Sequence, residues 1–240
     1  MPILHRTTAA AALVLAASLG LSACSDGDGG SGSSSTSEDV SPEESLAAAK
    51  TVLDGTSGVQ LTLATDDTPD SEAYLTEATG VITADPKAFE GTASGTFEGV
   101  PASDVAIVSV DGQVYAQIFG GFQDFTLPKC VPDPAGLLDP ASGFGSVLTE
   151  ATQVSRGEAV RGGADNDEIL TPYTATVPGA AVQNLLPCAP GDEFLATFTL
   201  DDDGRLRTAD LQGEFFEGGS ELTYTVAIDA YDVEQEITKP

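Results

Sequence analysis

Residues 193–231 read EFLATFTLDDDGRLRTADLQGEFFEGGSELTYTVAIDAY, and this stretch decides the fold. Phe194, Ala196, Phe198 and Leu200 alternate with Leu195, Thr197 and Thr199. Further on, Leu222, Tyr224, Val226, Ile228 and Ala230 fall at every second position and so share one face. Side chains that alternate in and out mark half-buried strands. Asp203-Gly204 and Gly218-Gly219 separate the runs, and an Asp-Gly pair between alternating segments is a strong hairpin signal. The three runs therefore pair antiparallel.

The same period of two recurs upstream. Val59, Leu61 and Leu63 alternate with Gln60, Thr62 and Ala64, and comparable runs occupy 73–84, 87–98, 103–110, 113–119, 152–160 and 168–177. Asp85-Pro86 and Asp111-Gly112 punctuate them. With 193–201, 205–215 and 220–232 this makes about ten strands in one long antiparallel meander. Three helical segments interrupt or precede it. Ser41-Pro42-Glu43-Glu44 spells a capping box with proline at the first helical position. Leu46, Ala49 and Leu53 follow at helical spacing, and Gly55 ends the run. Ser142 is placed to cap a second helix carrying Phe144, Val147, Leu148 and Ala151 on one stripe. Pro178 is placed to start a third, with Val182, Leu185 and Leu186 inward before Pro187 stops it. Helices this short do not stand alone in water, so they must lie against the sheet.

The N-terminus is a separate matter. After Arg6 an apolar segment runs from Ala9 to Leu21, too short to span a bilayer and proportioned like a secretory leader. It ends Leu21-Ser22-Ala23-Cys24, which resembles the bacterial lipobox. The likeness implies cleavage before Cys24 and a diacylglycerol on its thiol, with palmitate as a further acyl group. Two or more acyl chains anchor stably where one holds only marginally. Residues 1–23 are thus expected to be a lipoprotein signal peptide. Residues 24–41, Gly, Ser and acid with little to bury, are expected to be the acylated cysteine and a flexible tether reaching ~20–25 Å. Residues 42–240 form the domain. The expected location is the outer, extracytoplasmic face of a cell membrane.

Loss of the leader removes one of the nine Lys and Arg and none of the 38 Asp and Glu. Nucleic acid is excluded as a partner, since binding it requires cations to meet phosphates. Cys130 and Cys188 remain as an even pair in an oxidising compartment, which favours a disulfide over two buried thiols. The bond would close a loop worth ~4 kcal/mol in chain entropy. The only histidine, His5, leaves with the leader. Ser-His and Cys-His nucleophiles therefore have no base, and neither a phosphate-binding glycine loop nor a dinucleotide fingerprint occurs. Asp201-Asp202-Asp203-Gly204 and Asp165-Asn166-Asp167-Glu168 resemble calcium loops only superficially and read as acidic turns. The expectation is a protein that is not an enzyme, has no cofactor or metal, and is monomeric.

Four segments carry a wider likeness: Val110-Asp-Gly-Gln-Val-Tyr-Ala116, Leu137-Leu-Asp-Pro-Ala-Ser-Gly-Phe-Gly-Ser-Val-Leu148, Val177-Pro-Gly-Ala-Ala-Val-Gln-Asn-Leu185 and Ile237-Thr-Lys-Pro240. In this order behind a lipobox, they make the chain resemble the LppX/LprG (LppX-LprAFG) family of actinobacterial envelope lipoproteins. The resemblance implies an α+β half-barrel: one strongly curved antiparallel sheet, short helices across its concave face, and an apolar cavity between. It implies a carrier that takes the acyl chains of a glycolipid, lipoglycan or triacylglycerol-type lipid across the cell envelope, with an inner-membrane transporter as a further partner. The Cys130/Cys188 pair and the extreme acidity depart from that pattern.

The residues give a carrier independent sense. A wide sheet lined by Val, Ala, Leu and Ile, with no tryptophan and three short helices as cover, favours a void over a filled interior. An acyl chain of ~16 carbons entering it gains on the order of 10 kcal/mol gross. The expected lining is Leu46, Leu53, Leu61, Leu63, Val105, Ile107, Phe144, Val147, Leu148, Val182, Leu185, Leu186, Phe198 and Val226. The other reading is an acidic structural or interaction lipoprotein with a filled core and no lipid cargo.

Overall fold

The computed structural model describes residues 40–163 and 166–240. Cys24, the leader and the tether up to residue 39 lie outside the described residues, as does Asp165. Helix α1 (Pro42–Asp54) opens the domain with both halves of its capping box made. The Ser41 N–H donates to Glu44 Oε2 at 2.9 Å, and the Glu44 N–H donates to Ser41 Oγ at 3.2 Å. The Ser41 N–H first, and the Ser41 hydroxyl after it, hold the Glu44 carboxyl below its usual pKa.

Twelve strands follow, two more than the periodicity indicates. They are β1 (Gly58–Ala64), β2 (Tyr74–Ala84), β3 (Lys87–Phe97), β4 (Val100–Val110), β5 (Gln113–Ile118), β6 (Gly121–Asp124), β7 (Thr152–Arg156), β8 (Val160–Gly162), β9 (Glu168–Pro178), β10 (Glu193–Leu200), β11 (Leu206–Gly213) and β12 (Leu222–Tyr231). The two extra strands have physical causes. β6 is four exposed residues, too short to show alternation. The 152–160 run divides into β7 and β8, which pair separately with β9.

All pairings are antiparallel, in the order β6-β5-β4-β3-β2-β1-β12-β11-β10-β9-β7, with β8 beside β9. The sheet is curved and unclosed. β1 and β12 meet at its centre, so the first half of the chain builds one wing and the last half the other. The segment between β6 and β7 crosses the concave face. It carries the 3₁₀ turn Pro134–Gly136 and α2 (Gly145–Glu150), while α3 (Gly179–Leu185) follows β9 directly. Ser142 does not cap α2, which starts three residues later without a side-chain cap. Asp139 holds this loop instead, its Oδ1 accepting from the N–H groups of Ala141 at 2.9 Å and Ser142 at 3.2 Å.

Strand parity separates two faces. The convex face is rich in threonine: Thr62 and Thr79 hydroxyls lie 3.1 Å apart, and Thr225 donates to Asp210 at 2.6 Å. A small second core on that face joins Ala88, Val108, Val110 and Tyr115, with Ile237 of the C-terminal tail laid across it. The principal core occupies the concave face.

Candidate functional site

The concave face is best read as rows of cross-strand partners. One row runs Val105 (β4), Ala93 (β3), Ala78 (β2), Leu63 (β1), Val226 (β12), Ala209 (β11), Phe198 (β10) and Tyr173 (β9). The next runs Ile107, Gly91, Gly80, Leu61 and Ile228. Along the first row, Ala209, Phe198 and Tyr173 are buried, whereas Val105, Ala93, Ala78, Leu63 and Val226 are only half-buried. In a filled sandwich the central strands would be the most covered. Here their inward leucines are not.

The cover explains the difference. α1 packs on α2 and β7, and α3 packs on β9, β10 and α2, all over the C-terminal wing. The 3₁₀ turn rests on β2, β3 and β4. Ser109, fully buried on β4, donates to Asp133 at 2.6 Å, and Asp133 in turn accepts from the N–H of Ala135. β1 and β12 lie between these two contacts. The C-terminal wing is also filled by large rings. Phe194 and Phe215 lie 4.8 Å apart, and Phe215 meets Tyr224 edge-on at 5.1 Å. Tyr224 donates its hydroxyl to the Leu75 carbonyl at 2.7 Å, and burial holds the phenol protonated well beyond its usual range. The N-terminal wing has small residues instead. The Phe89 ring lies against Gly80 and Gly91, where a Cβ would come within 2.6 Å and 2.7 Å of it. A low floor beside half-covered leucines leaves an apolar strip across β4, β3, β2, β1 and β12.

Of the expected lining, Leu46, Leu53, Phe144, Val147, Leu148, Val182 and Phe198 are buried in the principal core. Leu61, Leu63, Ile107, Leu185, Leu186 and Val226 pack against it but remain partly exposed. Val105 lies outside that cluster and shares its face with Ile107 through the β4 alternation. The expectation of modest inward side chains holds for the N-terminal wing except at Phe89, whose ring is buried in the principal core. It fails for the other wing, where the rings of Tyr173, Phe194, Phe198, Phe215 and Tyr224 sit. Ala78, Ala93, Gly80 and Gly91 were not legible as lining, because small residues add nothing to an alternation of apolar bulk.

Two lysines fasten the cover. Lys50 pairs with Asp54 and donates to the Pro140 carbonyl at 2.9 Å, tying α1 to the crossing segment. Lys87 pairs with Asp139, and that bond, followed by the Ala141 N–H, lowers the Asp139 carboxyl to about 2. Cys130 and Cys188 are joined with their Cα atoms 5.2 Å apart. The bond links the crossing segment to the loop after α3. A separate groove of about 320 Å³ opens between the first turn of α1 and α2, lined by Glu43, Glu44, Ala47, Leu148, Thr149 and Ala151. It belongs to the joint between those helices. Among the described residues no group of three His, Cys, Asp or Glu could hold a metal, and no helix is long and apolar enough to cross a membrane. At the Asp201–Gly204 turn, the Asp201 carboxylate accepts from the N–H groups of Asp203 and Arg205, which is ordinary turn chemistry.

A family model described as LppX_LprAFG lipoprotein matches residues 41–239. The chain belongs to this family. Two solved structures share the LppX_LprAFG fold with it. LprF from Mycobacterium bovis superposes with a TM-score of 0.70 at 14% identity, over 83% of this chain and 96% of that one. The Mycobacterium tuberculosis lipoprotein LppX superposes with a TM-score of 0.61 at 16% identity, over 82% of this chain and 98% of that one. A search of curated protein sequences returns no match. At such low identity the solved structures speak for the fold alone, and membership rests on the family model.

Proposed function

We propose that this protein is a lipid-anchored envelope carrier that holds acyl chains against the concave strip. The cargo class is a glycolipid, a lipoglycan or a triacylglycerol-type lipid, carried across the envelope from the outer face of the membrane with an inner-membrane transporter as partner. One observation carries the reading: Leu61 and Leu63 of β1 and Val226 of β12, inward residues at the centre of the sheet, are apolar and incompletely covered. Incompletely covered apolar residues gathered on one face of a sheet mark a candidate binding region. Membership in a lipoprotein family supports the anchor at Cys24.

The cations suit an apolar cargo. Arg207 pairs with Glu168 at 2.8 Å, Arg205 lies over the Tyr231 ring at 5.6 Å, and Lys239 over the Tyr115 ring at 5.1 Å. With Lys50 and Lys87 fastening the cover, five of the eight lysines and arginines from residue 40 onward are engaged within the fold, which leaves recognition chiefly to apolar contact. Native mass spectrometry of protein taken from its own membranes tests this directly. The expected spectrum shows lipid-sized adducts that survive moderate salt and disappear after solvent extraction. Protein that arrives without adducts, and takes up none from a total envelope lipid extract, would be a filled structural lipoprotein.

A further inference from the structure

The hairpin at the free edge of the N-terminal wing carries a residue that neither the fold nor the strip uses. Phe119 opens the two-residue turn between β5 and β6 at φ +54°, followed by Gly120 at φ +88°. Two other hairpins turn the same way: Glu98-Gly99 at +51° and +76°, and Asp111-Gly112 at +55° and +73°. Such a turn asks only for left-handed backbone and glycine, and Asn, Asp or Gly meets it with least strain. The other described residues with positive φ are all Glu, Asp, Gln, Asn or Gly. Phe119 is the exception.

Its ring gains nothing from the fold, being 102% exposed, and Phe122 beside it on β6 is exposed as well. In a chain with 38 acidic side chains, acid occupies the equivalent position of the other two turns. From residue 88 to residue 128, the stretch that builds almost all of β3–β6, no Lys or Arg occurs. The tip is therefore aromatic, projecting and without cations.

We propose that the Phe119 hairpin dips into the interface of the bilayer that tethers the protein, at a neutral or zwitterionic lipid surface. The inference rests on the anchored reading above. Residues 24–41 would keep the domain within tens of ångströms of that bilayer. Aromatic rings partition into the interfacial layer without help from charge. The wing's cations, Lys87 paired with Asp139 and Lys239 over the Tyr115 ring, lie away from the turn, so the tip itself has nothing to offer an anionic surface. Insertion would bring the free edge of the sheet, and with it the strip, to the membrane that supplies the cargo.

The chain has no tryptophan, so Phe119→Trp introduces a single indole, excited selectively over the tyrosines. Leu195→Trp, on an exposed site of β10, is the control. Full-length lipidated protein is reconstituted into phosphatidylcholine vesicles containing dibrominated acyl chains. The indole of the Phe119→Trp variant is expected to shift to the blue and to be quenched, while that of the Leu195→Trp control emits as in water. Protein that does not float with the vesicles overturns both the anchor and the insertion. Protein that floats with the hairpin indole as exposed as the control indole overturns the insertion alone, as does quenching that requires phosphatidylglycerol. A hairpin indole exposed on vesicles but shielded from iodide in native membranes would overturn it too, and identify a protein partner instead of the bilayer.

Discussion

Asp139 shows how much of this domain hangs on single polar groups. Its carboxylate accepts from Lys87 and from two loop N–H groups, so the crossing segment is pinned to β3 at one residue. The unfolded carboxyl titrates near 3.8 and the folded one at about 2. The folded state thus binds this proton less readily, and the resulting stability is fully present above 3.8 and lost as pH falls through about 2. Melting of wild type and Asp139→Asn should differ by a constant amount at neutral pH. That difference should close between about pH 4 and pH 2. A difference that persists unchanged at the acid end of this range would mean the carboxylate is not what holds the loop. Capping boxes are written in adjacent residues and were legible at Ser41 and Glu44. Asp139 was not, since its partner Lys87 lies 52 residues away.

At the scale of elements, short helices become stable only where something ties them down. α2 and α3 each lack a side-chain cap and span six and seven residues. The Cys130–Cys188 bond joins the segment leading to α2 with the loop after α3, across a sequence separation of 58. Such a closure restricts the unfolded chain by ~4 kcal/mol in the entropy model. Replacing both cysteines by serine should lower the unfolding free energy by up to that amount in chemical denaturation. Hydrogen exchange should quicken first in 125–144 and 179–190, and the β10–β12 strands should change least. Equal loss of protection throughout the sheet would contradict a role confined to the cover. Helix positions followed from proline and stripe spacing to within a residue or two. The start of α2 did not, because Ser142 is engaged by Asp139 three residues before it.

For the whole molecule, the question is whether the strip is open. Val182 is 2% exposed on α3 and packed into the principal core, so Val182→Trp should overpack it and cost ~1–3 kcal/mol. Ala78 lies half-buried on the strip, facing Leu63 and Ala93. Ala78→Phe should therefore place its ring in open space, keep a melting temperature near that of the wild type, and lose most bound lipid. Equal destabilisation by both substitutions would mean that the strip is closed by contact. Retention of lipid by a stable Ala78→Phe would place the cargo elsewhere.

Alternation, turn pairs and caps were enough to determine an antiparallel meander with three short helices, because a strand's period and a hairpin's glycine are local properties of the chain. Four short segments and a lipobox were enough to indicate the family. Which of the apolar positions pack and which stay open was not local. Phe198 and Val226 alternate identically in sequence, yet one lies under α3's wing and the other between two covers. That distinction depends on where the segment from β6 to β7 crosses, and on Gly80 and Gly91 making room for the Phe89 ring, and only the tertiary structure brings those residues together.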